Sequence, residues 1–202
     1  DFEALERACA GAGGPAPRAI VLVNPNNPTG SGLRETERAR LEEMAARAGA
    51  AIISDEVFLD YLDPRSAAGP GWRSGDRIVS LLAAKAPPPP GAARAGATPA
   101  GAAAAGAASG RNGPLKFVLG GLSKSCGLPQ MKLGWIVVDG PDRLAGEARE
   151  RLDLIGDTYL SVGTPVQRAA ARLREIGEPI RAAIQQRLEE NLAALRQAVG
   201  AA

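Results

Sequence analysis

The chain has 202 residues, 45% of them hydrophobic and 23% charged, enough for one domain with a proper core. Its net charge of +2, with both signs mixed throughout, gives no reason to expect nucleic acid or an anionic membrane surface as a partner, and its apolar runs are far short of a membrane span. Histidine is absent, which removes His-based triads, His-ligated metal sites and imidazole proton shuttles; the two cysteines, Cys9 and Cys126, lie far apart without metal-ligand spacing.

Acid–base chemistry therefore falls to Lys, Asp, Glu, Tyr, Cys or a cofactor. With cysteine so sparse, a reduced, cytoplasmic setting is the default expectation. The chain begins at Asp1 and ends inside a helical pattern, so a fragment of a longer protein is expected.

In chain order, Phe2–Ala10 reads as a short helix with Leu5 inward. Ala19–Val23 is an apolar run bounded by turn residues, a buried strand. Leu33–Ala48 is an amphipathic helix with Leu33, Leu41, Met44 and Ala45 on its apolar side, ended by Gly49. Ala51–Ser54 is the next strand, followed by the acidic pair Asp55–Glu56. Ile78–Leu82 is a short apolar run, strand or helix turn. Ala86–Gly113 opens on the proline run Pro87–Pro90 and continues with little but Ala, Gly and Ser. It offers too little apolar area to offset its ordering entropy, and is expected to be a disordered insertion in a surface loop. Lys116–Leu119 and Leu133–Val138 are strands on either side of the loop GLSKSCGLPQMK. Helices are expected at Pro141–Ile155, Pro165–Ile176 and Pro179–Val199. Strands alternating with helices indicate an α/β fold, a mostly parallel sheet flanked by helices.

Three motifs each follow an apolar strand: NPNNPTG (Asn24–Gly30), SDEVF (Ser54–Phe58) and SKSCGLPQMKLGW (Ser123–Trp135). In a parallel sheet the loops after the strands share one edge, where open α/β sheets bind ligands. Asn27, Asp55 and Lys124 are therefore expected to converge. Taken singly, each has a plainer explanation. NPNNPTG is a loop stiffened by its prolines, Asp55 a helix cap or a solvated acid, Lys124 a surface lysine. A Ser123–Lys124 nucleophile pair is disfavoured, because adjacent residues on an extended segment point opposite ways and the S-x-x-K spacing is absent.

Together, in this order, the motifs resemble those of the class I/II aminotransferases of the aspartate-aminotransferase fold (fold type I). The resemblance covers nearly the whole chain outside Ala86–Gly113. It implies pyridoxal 5'-phosphate as cofactor and the latter part of a cofactor-binding large domain as the fold. Residues 1–175 would be that partial domain, with the insertion at 86–113. Residues 176–202 would be a helix leading into a small C-terminal domain. It also implies a homodimer when full length, amino acid and 2-oxo acid substrates, and no activity in the isolated fragment.

Residue by residue, the resemblance makes Lys124 the catalytic amine that forms a Schiff base with the cofactor. Asp55 would face the pyridine nitrogen and Asn27 would donate to the phenolic oxygen. Lys132 stands where the family usually has a phosphate-binding arginine, keeping the charge but not the bidentate fork. Ser123 is a further phosphate neighbour, and Ser125 a weaker one. Phe58 replaces a tyrosine found in many members and cannot donate to the phenolic oxygen. Gly121 stands where many members have a phosphate-binding serine. Two other functions remain open at this stage. One is a lyase acting at the β-carbon on the same fold, such as a C–S lyase. The other is an aminotransferase-like effector domain of a transcription regulator.

Overall fold

The structure, a computed structural model, describes residues 1–62, 78–82 and 113–200. The insertion expected at Ala86–Gly113 lies outside the described residues except for Gly113. Strands β1 (Ala19–Val23), β2 (Ala51–Asp55), β3 (Lys116–Gly121) and β4 (Gly134–Asp139) form a four-stranded sheet in the order β1-β2-β3-β4. β1, β2 and β3 are parallel, and β4 runs antiparallel to β3. A parallel pair needs a long crossover, supplied between β1 and β2 by helix α2 (Glu35–Ala48). The fold is the expected mixed α/β arrangement.

Side chains alternate across each strand, so the sheet has two distinct faces. On one face Ile20, Ile52 and Val118 are buried against Leu41 and Ala45 of α2, with Leu33 and Leu81 beside them. Phe2, Leu5 and Cys9 of helix α1 (Phe2–Cys9) pack on the margin of this cluster. The Asp1 carboxylate caps α1 by accepting from the N–H groups of Glu3 and Ala4 at 3.0 and 3.2 Å. α2 begins where the Glu37 carboxylate accepts the Arg34 N–H at 3.0 Å, and ends at Gly49, whose φ of 65° suits glycine. The apolar residues picked from its sequence, Leu33, Leu41, Met44 and Ala45, are all buried.

On the opposite face the register aligns Val21, Ile53, Phe117 and Val138 in one row, and Val23, Asp55, Leu119 and Ile136 in the next. Val21 is 68% exposed there and Ile136 46%. Asp55 therefore closes its strand on the face away from α2. The run Ile78–Leu82 resolves into one antiparallel bridge, Ile78 with Arg34, followed by a turn.

Helix α4 (Asp142–Thr158) matches the expected helix, with a longer C-terminal end. The last two expected helices are instead one, α5 (Thr164–Gly200), with Pro179 inside it. Proline there removes an N–H from the helical ladder and normally marks a break. The strong helix formers on both sides (Ala, Leu, Arg, Glu, Gln) carry the helix through it. The domain boundary expected at 175–176 falls inside this helix.

Candidate functional site

The three strand-end loops leave the sheet side by side. The backbone N–H of Asn24 donates to the Asp55 carbonyl at 2.8 Å, and that of Glu56 donates to the Leu119 carbonyl at 3.0 Å. These bonds extend the parallel ladders by one step and bring the NPNNPTG, SDEVF and SKSC segments to one edge.

Within the first loop, Asn24 rather than Asn27 does the anchoring. Asn24 is fully buried. Its amide donates to the Val79 carbonyl at 2.8 Å and its carbonyl oxygen accepts the Leu33 N–H at 2.8 Å. Asn26 closes the turn, its carbonyl accepting the Gly30 N–H at 2.8 Å and its side chain the Thr29 hydroxyl at 3.0 Å. The Asn24–Pro25 and Asn27–Pro28 peptides are cis. Asn27 is exposed, and its amide makes no hydrogen bond among the described residues.

The acidic pair Asp55–Glu56 at the end of β2 divides its labour. The Glu56 carboxylate accepts from the Ser54 hydroxyl at 2.9 Å, the Ser80 hydroxyl at 2.7 Å and the Leu81 N–H at 2.8 Å. It is a structural acceptor that ties residues 80–81 to the sheet. Asp55 accepts the Val57 N–H on one oxygen at 3.1 Å, a local turn bond; it caps no helix, because the 3-10 turn that follows begins at Leu59 behind Phe58. Its other oxygen has no hydrogen bond among the described residues.

Lys124 lies on α3 (Leu122–Ser125), a single helical turn where an extended segment was expected. Ser123 and Lys124 are thus neighbours on a helix, and the opposite-sides argument against their pairing does not apply. Ser125 is buried and its hydroxyl donates to the Gly121 carbonyl at 2.8 Å, which pins the turn. Ser123 is half-buried without a hydrogen bond among the described residues. The Lys124 ammonium lies 5.5 Å from the centre of the Phe58 ring, within cation–π range. It has no carboxylate partner among the described residues. Lys132, after the 3-10 turn Pro129–Met131, is exposed, with a left-handed φ of 52° and likewise no ion pair among the described residues.

Tyr61, in the 3-10 turn Leu59–Tyr61, donates its hydroxyl to the backbone carbonyl of Lys124 at 2.6 Å. Burial pushes its phenol pKa above the ordinary value, Arg181 opposes the rise, and Asp60 and Cys126 add to it. Tyr61, Asn24 and Glu56 were not assigned roles from sequence. A weak signal existed for Tyr61: it follows Phe58 by three residues, the spacing that puts two side chains on one side of a tight turn.

The edge thus holds an amide, one carboxylate oxygen, a primary amine and a second cation whose polar atoms make no hydrogen bond or ion pair among the described residues. That donor set suits a small anionic ligand. Among the described residues no helix is long and apolar enough to cross a membrane.

The family model described as "Aminotransferase class I and II" matches residues 1–202. The structure of N-succinyldiaminopimelate aminotransferase from Mycobacterium tuberculosis superposes with a TM-score of 0.59 at 26% identity, over 99% of this chain and 41% of that one. Glutamate-pyruvate aminotransferase of Haemophilus influenzae is 25% identical over 152 residues, 75% of this chain and 29% of that protein. Mitochondrial alanine aminotransferase of Saccharomyces cerevisiae is 40% identical over 48 residues, 24% of this chain and 8% of that protein. The matched part is less than half the length of each.

Proposed function

The chain belongs to the class I and II aminotransferases, and from that premise we propose that the protein moves an amino group between an amino acid and a 2-oxo acid, with pyridoxal 5'-phosphate as cofactor and Lys124 as the acting amine. The observation that carries this is the single sheet edge shared by Asn27, Asp55 and Lys124, each with polar atoms that make no hydrogen bond among the described residues. When bound, the cofactor supplies an aldehyde that condenses with primary amines and a pyridine ring that accepts electrons.

The chain's own residues divide the remaining work. Lys124 Nζ takes the proton from the substrate α-carbon, and among the described residues no carboxylate ties that amine up. Asp55 holds a proton on the ring nitrogen, and a carboxylate is the side chain that favours the charged ring. Asn27 donates to the ring oxygen. Lys132 and Ser123 would hold the phosphate, the lysine as a point charge without an arginine's fork. Phe58 offers no hydrogen bond in this set. In this proposal residues 1–175 form part of the cofactor-binding domain, and the remainder of α5 leads toward a smaller one. The working protein is a cytoplasmic homodimer.

Borohydride reduction of the cofactor-loaded full-length protein, followed by peptide mapping, tests the assignment. The pyridoxyl label is expected on Lys124; a label on Lys85, Lys116 or Lys132 would overturn it. Product analysis with an amino acid and a 2-oxo acid should yield the exchanged pair. Pyruvate and ammonia instead would assign the protein to elimination at the β-carbon.

A further inference from the structure

Tyr61 joins two of the site's loops. It sits on the turn that follows β2, and its hydroxyl donates to the carbonyl of Lys124, on the turn that follows β3, at 2.6 Å. Its ring lies 6.5 Å from that of Phe58, which in turn faces the Lys124 ammonium at 5.5 Å. Tyr61 therefore holds the main chain of the lysine while the aromatic beside it meets the end of the same side chain.

Both turns are backed by one stripe of α5. Gly177, Arg181 and Gln185 are spaced four apart and so share a face of the helix. Gly177 lies so close to Cys126 that an added Cβ would come within 2.5 Å of the cysteine Cβ. Arg181 pairs with the Asp60 carboxylate at 3.6 Å, and the Gln185 amide donates to the Asp60 carbonyl at 2.7 Å. The residue before Tyr61 and the second residue after Lys124 are thus fastened to the same helix, and the Tyr61 hydroxyl closes the triangle.

We infer that Tyr61 is a positioning residue for Lys124, setting the main-chain position of the lysine-bearing turn through its hydroxyl, with the Gly177–Arg181–Gln185 stripe of α5 as the support behind it. The inference rests on Lys124 being the acting amine. The raised pKa of the phenol accords with it, since the donor stays protonated through the neutral range. Burial alone does not explain the contact, because a phenylalanine would fill the same space without reaching the carbonyl.

The experiment uses the full-length protein as wild type, Tyr61→Phe and Gln185→Ala. Amide hydrogen exchange is followed by mass spectrometry without cofactor, and kcat and KM are measured with it. Tyr61→Phe keeps the ring and removes only the hydroxyl. Exchange in the segment 122–128, where the Cys126 and Leu128 amides bond the Leu122 carbonyl, is expected to quicken by about twofold to tenfold. Turnover should fall by a similar factor with KM little changed. Gln185→Ala, which leaves the hydroxyl in place, should quicken the same segment less. Wild-type exchange at 122–128 in Tyr61→Phe, or a loss of thermal stability with kcat unchanged, would overturn the inference. A wild-type protein without amino-group transfer would sink the proposed function instead, while the exchange arm would still report whether the hydroxyl holds the turn.

Discussion

Asn24 and Asn27 lie three positions apart in one motif and face opposite fates. The buried Asn24 satisfies the Val79 carbonyl and the Leu33 N–H at once. Asn24→Ala strands both groups, each at about 1–3 kcal/mol, so a loss of about 2–6 kcal/mol is expected in urea denaturation. Asn27 is exposed and bonded to nothing among the described residues. Asn27→Ala should stay within about 0.5 kcal/mol of wild type while weakening cofactor binding. Equal stability losses in the two variants would mean that the loop is anchored differently. Tyr61 gives a pH signature at the same scale. Its folded-state phenol pKa lies above the ordinary value, with burial as the main cause, so the native state holds this proton more tightly than the unfolded chain. The stabilisation is complete below the unfolded pKa near 10 and fades as pH climbs through the higher folded value. The melting temperature of wild type should therefore fall more steeply above pH 10 than that of Tyr61→Phe. Parallel curves would contradict the assignment.

Among the elements, α5 is where local propensity and packing pull hardest against each other. Pro179 should interrupt it and does not; Gly177, a poor helix former, is its one buried residue. Replacing Gly177 with alanine would favour the isolated helix by about 1 kcal/mol. In the folded protein the new methyl meets the Cβ and Sγ of Cys126 at 2.5 and 2.6 Å, and overpacking of that kind costs about 1–3 kcal/mol. Gly177→Ala is thus expected to lower the melting temperature despite the better helix propensity. Adding Cys126→Ala should not restore it, because the closest contact is with a Cβ that alanine keeps. A stabilised Gly177→Ala would show that α5 does not approach the Lys124 turn this closely.

For the molecule as a whole, the sheet orders the site. Asp55 ends β2 on the face away from α2, in the row Val23, Asp55, Leu119, Ile136. The core cluster lies on the other face and α2 covers it. The candidate site and the packed core are thereby placed on opposite faces by the strand alternation itself. Ala86–Gly113 enters between β2 and β3, and its Pro, Ala, Gly and Ser content adds little to any core. Replacing it with a short Gly/Ser turn in the full-length protein should leave turnover near wild type. A large fall in kcat at unchanged cofactor occupancy would give the segment a role that its composition does not announce.

By itself the sequence determined the strands, the α2 apolar stripe and the three motifs behind β1, β2 and β3. Short apolar runs and periodic stripes are local patterns, and a strand followed by turn residues announces where a parallel sheet presents its loops. It also placed Lys124, Asp55 and Asn27 as the residues to watch, through motif order. Only the tertiary structure decided which polar groups the fold consumes. Asn24, Glu56 and Ser125 spend their hydrogen bonds on backbone or hydroxyl groups. Those partners include residues 79–81, far away in sequence, which no periodicity could assign. The same holds for the approach of α5 to the Lys124 turn and for the Tyr61 bond to Lys124. Each depends on contacts between segments more than fifty residues apart, and the geometry of those contacts exists only once the sheet has brought the segments together.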